Sequence, residues 1–302
     1  MDFKGTVVVI TGAGRGLGYE YARYFASRGA RLVLNDLGRE GDNYVVDFVA
    51  KNLQSEFGAQ VVTNHDSVEF GEKIIEAAIK AFGRIDVLIN NAGILVDKSM
   101  VKIKSEDFDL INKVHVKGTF RCTLAAWPHF RKQKYGRVIN TGSSSGLFGN
   151  FGQVNYSAAK AAIHGMTMSL AKEGENSNIK VNTIAPVAAT SMTQGVIQED
   201  ILKAIHPRFV VPLVAVLAGK DCPENGGMYE VGGGWITKLR YQRAEGLQLT
   251  PDASPEDILK NWDKVGDFTR NSDYPSAGSD SLERMFANYE RTAKLRQGTP
   301  KL

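Results

Sequence analysis

The chain is predicted to fold as an α/β domain over residues 1–235, a doubly wound parallel sheet, followed by a helical extension over residues 236–302. Three observations carry that prediction. Short β-branched runs alternate with longer amphipathic stretches, a glycine-rich turn joins the first run to the first stretch, and the alternation stops near Trp235. Strand–helix alternation of this length implies βαβ units and a parallel sheet.

Val7-Val8-Val9-Ile10 is apolar without interruption, as expected of a strand covered on both faces by helices. Leu17–Ser27 then carries helical spacing, and Arg31-Leu32-Val33-Leu34 and Gln60-Val61-Val62-Thr63 read as the next strands. A helix over Gly71–Phe82 leads to a strand over Ile85–Ile89, and a long helix over Phe108–Gln133 leads to Arg137-Val138-Ile139. The last pair is a helix over Asn155–Glu175 and a strand over Ile179–Asn182. Beyond Trp235 the chain gains charge, Pro and Ser and shows no β run. Ser254-Pro255-Glu256-Asp257 reads there as an N-cap, a Pro at the first helical position and an acidic residue at N3. Ile258, Leu259, Trp262 and Val265 share one face of that helix, and Leu282, Met285, Phe286 and Tyr289 share one face of a second that opens at Asp280. Both stripes are expected to be buried, against the substrate cleft or a partner subunit.

With 302 residues, 43% apolar and 23% charged, the chain can bury a sizeable core. Its net charge is only +4, and no basic stripe marks a nucleic-acid surface; Arg131, Lys132, Lys134 and Arg137 read as a solvated helix end. No apolar run approaches the ~18 residues that span a bilayer. The start, Met1–Gly5, runs into a strand without a secretory signal. Cys122 and Cys222 have neither disulfide-framework nor metal-ligand spacing, so no metal is expected and both read as buried small hydrophobes.

Thr11-Gly12-Ala13-Gly14-Arg15-Gly16-Leu17-Gly18 follows the first strand and enters a helix. Glycines let such a turn approach a pyrophosphate, and the helix N-terminus favours the anion. The frame is T-G-x-x-x-G-x-G, not G-x-G-x-x-G, and its strand–turn–helix setting points to dinucleotide binding by Gly12, Arg15, Gly16, Leu17 and Gly18. Asp36, at the end of the second strand, is placed to accept hydrogen bonds from ribose hydroxyls and to repel a 2′-phosphate, which favours NAD. Arg15 is the counter-signal, because a cation there assists a 2′-phosphate.

Tyr156 and Lys160 stand four apart on a helix, hence on one face. Ser143 follows the strand at Arg137–Asn140, so it lies at a strand's C-terminal end, where ligands bind in such sheets. A phenol is a poor base near neutral pH unless a cation favours its phenolate, which Lys160 is expected to supply. Ser143 would hold the substrate oxygen while Tyr156 moves the proton.

These residues, with Asn90-Asn91-Ala92-Gly93, stand in the order and spacing of the short-chain dehydrogenase/reductase family, which the chain resembles over about residues 3–235. The resemblance implies a Rossmann-like fold, catalysis by Ser143, Tyr156 and Lys160, and a cofactor floor at Asn90, Asn91, Ala92 and Gly93. It also implies an adenine contact at Asp66 beside Ser67, a hold on the nicotinamide ribose by Lys160, and a homodimer. One departure stands out: His115 occupies the place of an Asn that supports a water in the family's proton relay. His115 either serves that relay through a ring nitrogen or is a neutral core histidine.

That histidine, the stretch Gly149–Tyr156, Asn182-Thr183-Ile184-Ala185-Pro186 and the segment Glu224–Arg240 are similar to the (3R)-hydroxyacyl-CoA dehydrogenase modules of peroxisomal multifunctional enzymes. The implied reaction is NAD-dependent oxidation of a (3R)-3-hydroxyacyl-CoA to the 3-ketoacyl-CoA, as in β-oxidation of fatty acids. Met192, Val196 and Ile197, with Phe209–Leu213, would line the acyl cleft or pack in the core. Lys238, Arg240 and Arg243 would meet the CoA phosphates or form a solvated basic turn. Pro300-Lys301-Leu302 resembles a weak Ser-Lys-Leu peroxisomal address, the alternative location being cytoplasmic. Other readings are a hydroxysteroid dehydrogenase, a 3-ketoacyl carrier-protein reductase, a non-catalytic dinucleotide sensor and an RNA-binding protein.

Overall fold

The computed structural model describes residues 1–189 and 203–297. The chain divides into two compact units, Met1–Leu239 and Arg240–Leu302. In the first, β1 (Val7–Thr11), β2 (Arg31–Asn35), β5 (Val61–Asn64), β6 (Val87–Asn90), β7 (Gly136–Thr141), β8 (Ile179–Pro186), β9 (Met228–Gly232) and β10 (Trp235–Leu239) form one 8-stranded sheet. Its order is β10-β9-β8-β7-β6-β1-β2-β5, and every pairing is parallel except that of edge strand β10 with β9. A two-stranded hairpin, β3 (Arg39–Glu40) and β4 (Asn43–Tyr44), follows β2.

The uninterrupted apolar run of β1 is explained by its central place. Val8 and Ile10 pack on one face of the sheet with Tyr21 and Phe25, and Val7 and Val9 pack on the other with Ile74, Ile75 and Phe130. Those partners come from α1 (Gly16–Ser27) on one side and from α3 (Gly71–Phe82) and α5 (Gly118–Gln133) on the other. This is the doubly wound arrangement the alternation predicts.

Register decides where chemistry can sit. Thr11 pairs with Asn35, and Asn90 with Asn140, so Gly12, Asp36, Asn91 and Ser143 all leave the sheet at one edge. The order reverses between β1 and β6, which makes the crevice outside their carboxyl ends the ligand position in open α/β sheets.

Several expectations need correction. A helix α2 (Val45–Phe57) fills the stretch between β4 and β5, burying Val46, Val49, Ala50 and Leu53. The long helix expected over Phe108–Gln133 is present as an unbroken helical run from α4 (Ser105–Asn112) through a π-helical turn at Lys113–Lys117 into α5. The sheet continues past Trp235, because β10 hydrogen-bonds β9, and the boundary falls after Leu239. Arg137 is no solvated helix end. It lies in β7 at 1% exposure, its guanidinium donating to the carbonyls of Gly136, Asn178, Gly219 and Lys220. Of the two readings left open for Phe209–Leu213, Val210, Val211 and Leu213 take the core one; Val211 and Leu213 begin α8 (Val211–Ala218). Met192, Val196, Ile197 and the terminal Pro300-Lys301-Leu302 lie outside the described residues.

In the second unit the capping box at Ser254 and Asp257 forms as read, opening a helix at Pro255–Lys260. A short turn at Trp262–Val265 and a helix at Asp280–Gln297 follow. The apolar stripes are not buried there: Leu259, Trp262, Leu282, Met285, Phe286 and Tyr289 are all more than half exposed. Polar contacts hold the unit instead, with Arg243 and Arg284 both on the Asp273 carboxylate.

Candidate active site

The glycine turn is shaped by close approach rather than by flexibility. Gly12 has φ +66°, and a Cβ there would come within 2.8 Å of Ala92 Cα. A Cβ on Gly18 would overlap the Gly12 carbonyl oxygen, so α1 can start against the turn only if position 18 carries no side chain. Gly16 opens α1 with φ +54°, and no side chain caps that helix at Arg15. Leu17 turns inward and is buried. Unclaimed amides at the start of a helix reached through tight glycine turns fit a dinucleotide pyrophosphate.

Thr11 ties this turn to the second loop. Its hydroxyl accepts from the amides of Asn91 and Ala92, both at 3.0 Å, while the Asn91 side-chain amide donates to the carbonyls of Thr11 and Gly12. Asn90 lies beneath, buried, donating to Asn140 and Thr123. Thr11 and Asn140 therefore hold the cofactor floor in place, roles not read from the sequence; the T-G opening of the motif was the available signal.

Asp36 is oriented at the strand end by two amides, Gly14 N–H at 2.8 Å and Gly38 N–H at 2.7 Å, one on each carboxylate oxygen. Each oxygen keeps acceptor capacity for a ribose hydroxyl. Arg15 pairs with Glu40 at 2.7 Å on the hairpin, so its charge is already matched. Asp66 accepts from the Asn64 side chain and pairs with Lys73, and Ser67 caps the turn that follows it.

At the end of β7, Ser143 accepts the Ser145 amide at 3.2 Å and so caps the short helix α6 (Ser144–Phe148). Helix α7 (Val154–Gly174) brings Tyr156 and Lys160 beside it, and a Cβ on Gly146 would strike the Lys160 side chain, so the two helices meet closely. Ser143 hydrogen-bonds the Tyr156 phenol, and Lys160 Nζ lies 5.4 Å from the Tyr156 ring centroid while donating to the Thr141 carbonyl at 2.6 Å. The three residues converge at one strand end.

The charge balance differs from the sequence expectation. Burial pushes the Tyr156 phenol up, the Ser143 hydrogen bond opposes this, and the Asp97 carboxylate adds to it. Lys160 is itself desolvated, which brings its ammonium down to about 7. Burial thus sets the direction in both groups.

His115 lies on the π-helical turn, 2% exposed, its ring edge-on to Tyr156 at 5.3 Å between centroids. Nε2 is 3.1 Å from the Ile94 amide and 2.8 Å from its carbonyl, and Nδ1 is buried with no partner among the described residues. Desolvation, with the Lys160 charge second, holds its pKa down at about 3, so the ring is neutral. Gly93 is required opposite, since a Cβ there would meet the imidazole. His115→Asn should keep a polar group toward Ile94 and lose less than about tenfold in rate. His115→Leu strands that buried backbone group at about 1–3 kcal/mol and should lower the melting temperature. Identical kinetics and melting in both variants would contradict a polar role.

The crevice thus combines a tight glycine turn at a helix start, a carboxylate held at a strand end and a serine–tyrosine–lysine set. Residues 6–201 match the short chain dehydrogenase family. The chain belongs to this family. It is 53% identical to a "peroxisomal hydratase-dehydrogenase-epimerase" of Neurospora crassa, covering 99% of this chain and 34% of that protein. It is 48% identical to the "peroxisomal multifunctional enzyme type 2" of Mus musculus, covering 90% of this chain and 38% of the relative. The structure of full-length peroxisomal multifunctional enzyme type 2 from Drosophila melanogaster superposes with a TM-score of 0.84 at 36% identity, over 99% of this chain and 51% of that one. The chain spans about a third of the length of these two curated relatives. As a short-chain dehydrogenase, it is an oxidoreductase of Rossmann-like fold.

Proposed function

We propose that the protein oxidises (3R)-3-hydroxyacyl-CoA to 3-ketoacyl-CoA with NAD, in peroxisomal breakdown of fatty acids. The observation that carries this reading is the similarity over nearly the whole chain to relatives named as peroxisomal hydratase-dehydrogenase-epimerases. The site's chemistry is consistent with it. Tyr156, as phenolate, takes the proton of the substrate hydroxyl, Ser143 holds that oxygen, and Lys160 supplies the compensating cation and reaches toward the nicotinamide ribose. Bound NAD supplies the hydride acceptor for the hydrogen on C3. The glycine turn and Asp36 would hold the pyrophosphate and adenosine ribose.

An acyl substrate needs apolar surface near Tyr156. Met100, Phe151 and Val154 are exposed around a recess of about 350 Å³ that Ser157 also lines. The CoA role first given to Lys238, Arg240 and Arg243 finds no support. Lys238 pairs with Glu224, Arg243 with Asp273, and Arg240 lies 3.4 Å from the Tyr274 ring centroid. A second copy of the chain is proposed to cover Phe108, Phe120 and Leu124, which stay exposed on α4 and α5 beside a recess of about 650 Å³.

NAD over NADP follows from Asp36 held at the ribose position while Glu40 matches the Arg15 charge. Asp36→Ala should lower kcat/KM for NAD by about tenfold or more, the worth of a hydrogen bond to a charged group. The NADP/NAD ratio should rise with it. Measuring kcat/KM with both dinucleotides checks this, and an unchanged ratio would place cofactor choice elsewhere.

A further inference from the structure

The segment Ile94–Lys98, which follows the cofactor floor, is fastened at four points to the elements that carry the catalytic residues. Ile94 meets His115, the Val96 carbonyl accepts from the Asn155 side chain at 3.1 Å, and the Lys98 amide donates to the Gly152 carbonyl at 2.8 Å. The fourth point has side chains on both sides: Gln153 Nε2 donates to Asp97 Oδ2 at 2.8 Å. The other end of the same amide, Gln153 Oε1, accepts from Ser145 Oγ at 2.8 Å and from Asn150 Nδ2 at 3.0 Å. Ser145 in turn gives its backbone N–H to Ser143 Oγ.

Two runs of directed hydrogen bonds thus meet at Ser145, its hydroxyl held by Gln153 and its backbone N–H given to the serine that holds the substrate oxygen. Because Ser143 Oγ already accepts from Ser145 N–H, its own proton is left to point at the phenol or the substrate oxygen. Without the Gln153 anchor the first turn of α6 could shift, carrying the Ser145 N–H away and freeing Ser143 from that constraint. The orientation of Gln153 is set in turn, because its amide nitrogen faces an acceptor that cannot donate.

We infer that Gln153 and Asp97 are positioning residues for the proton transfer, acting through Ser145 to orient the Ser143 hydroxyl. Asp97 has a second effect, since its carboxylate is the negative charge facing Tyr156. The other polar groups around that phenol are Lys160 on its own helix, Ser143 at the end of β7 and the neutral His115 on the π-helical turn. The inference rests on the acid–base reading of Ser143 and Tyr156.

Three variants separate the effects in the intact chain. Gln153→Met keeps the side-chain length and removes all three side-chain hydrogen bonds; kcat with (3R)-3-hydroxyacyl-CoA should fall about five- to tenfold, with KM for NAD unchanged. Asp97→Asn keeps an acceptor for Gln153 and removes the charge. Its rate on the high-pH plateau should stay near that of the parent, while the rising limb of the oxidation rate moves to lower pH, because a phenolate no longer faces a carboxylate. Gln153→Met combined with Ser143→Ala should cost no more than Ser143→Ala alone, since the amide acts through that hydroxyl. Additive losses, or a Gln153→Met enzyme with parental kcat, would overturn the positioning role. An Asp97→Asn profile that does not move would overturn the electrostatic part. Full activity in Ser143→Ala would instead overturn the acid–base reading beneath it.

Discussion

Tyr156→Phe is expected to lose about 10²–10⁴-fold in turnover, the usual share of a positioned acid–base group. The ring can stay where it is, edge-on to His115 and beside Lys160, so neither the fold nor the cofactor cradle depends on the hydroxyl. What disappears is the one group that meets Ser143 and can carry the substrate proton. Dinucleotide affinity and melting temperature should therefore match the parent protein. Steady-state kinetics beside a cofactor titration and a thermal melt check this. Retention of more than about a tenth of the parental rate would remove Tyr156 from the proton transfer.

The second large effect belongs to the glycine turn. Gly18→Ala sets a methyl group against the Gly12 carbonyl oxygen, a backbone atom that cannot swing aside. Either α1 backs away from the turn or the turn unwinds, and in both cases the amides at the helix start leave their positions. Overpacking of this kind costs about 1–3 kcal/mol of stability, and dinucleotide affinity should fall more than tenfold with it. Gly58→Ala is the matched control. It has a positive φ, +63°, at the C-terminal cap of α2, where a Cβ meets nothing within 4 Å. That variant should lose stability through backbone strain and keep its cofactor affinity. Equal cofactor affinity in both variants would show that close packing at Gly18 does not shape the site.

The site was legible where chemistry is local in sequence. The glycine frame, Asp36, and the four-residue step from Tyr156 to Lys160 each declare a geometry that needs no knowledge of the rest of the chain. Parallel strands buried on both faces are equally plain, as the run at Val7–Ile10 illustrates. Less legible were features decided by tertiary contact. Helix α2 carries a helical spacing at Val46, Val49, Ala50 and Leu53, but it follows a polar, glycine-bearing hairpin that reads as loop. Edge strand β10 exposes Trp235 and Ile236 and exists because β9 offers an open edge. Arg137 stands among cations in sequence, yet the carbonyls of Gly136, Asn178, Gly219 and Lys220 make a buried place for it.

The same distinction applies to the electrostatics of the site. Sequence spacing places a cation one turn from a phenol, and from that alone a lowered phenol follows. Burial acts on both groups at once, raising Tyr156 and lowering Lys160, and it is visible only in three dimensions. The π-helical turn that presents His115 edge-on to Tyr156, and the Asp97–Gln153–Ser145 chain, likewise join segments far apart in sequence. In the second unit the stripe read at Ile258–Val265 is split between two short helices at Asn261, and the exposure of both stripes shows that amphipathicity predicts a face without naming what covers it.

The central claim is an NAD-linked oxidation of one enantiomer of a 3-hydroxyacyl-CoA. Its most direct test is the initial rate of NADH formation with (3R)- and (3S)-3-hydroxyacyl-CoA of matched chain length, repeated across a chain-length series. The account predicts turnover of the (3R) substrates with NAD, at least about a hundredfold faster than their (3S) counterparts, a difference of roughly 3 kcal/mol between transition states. No NADH from any (3R)-3-hydroxyacyl-CoA, or equal rates with both enantiomers, would contradict it.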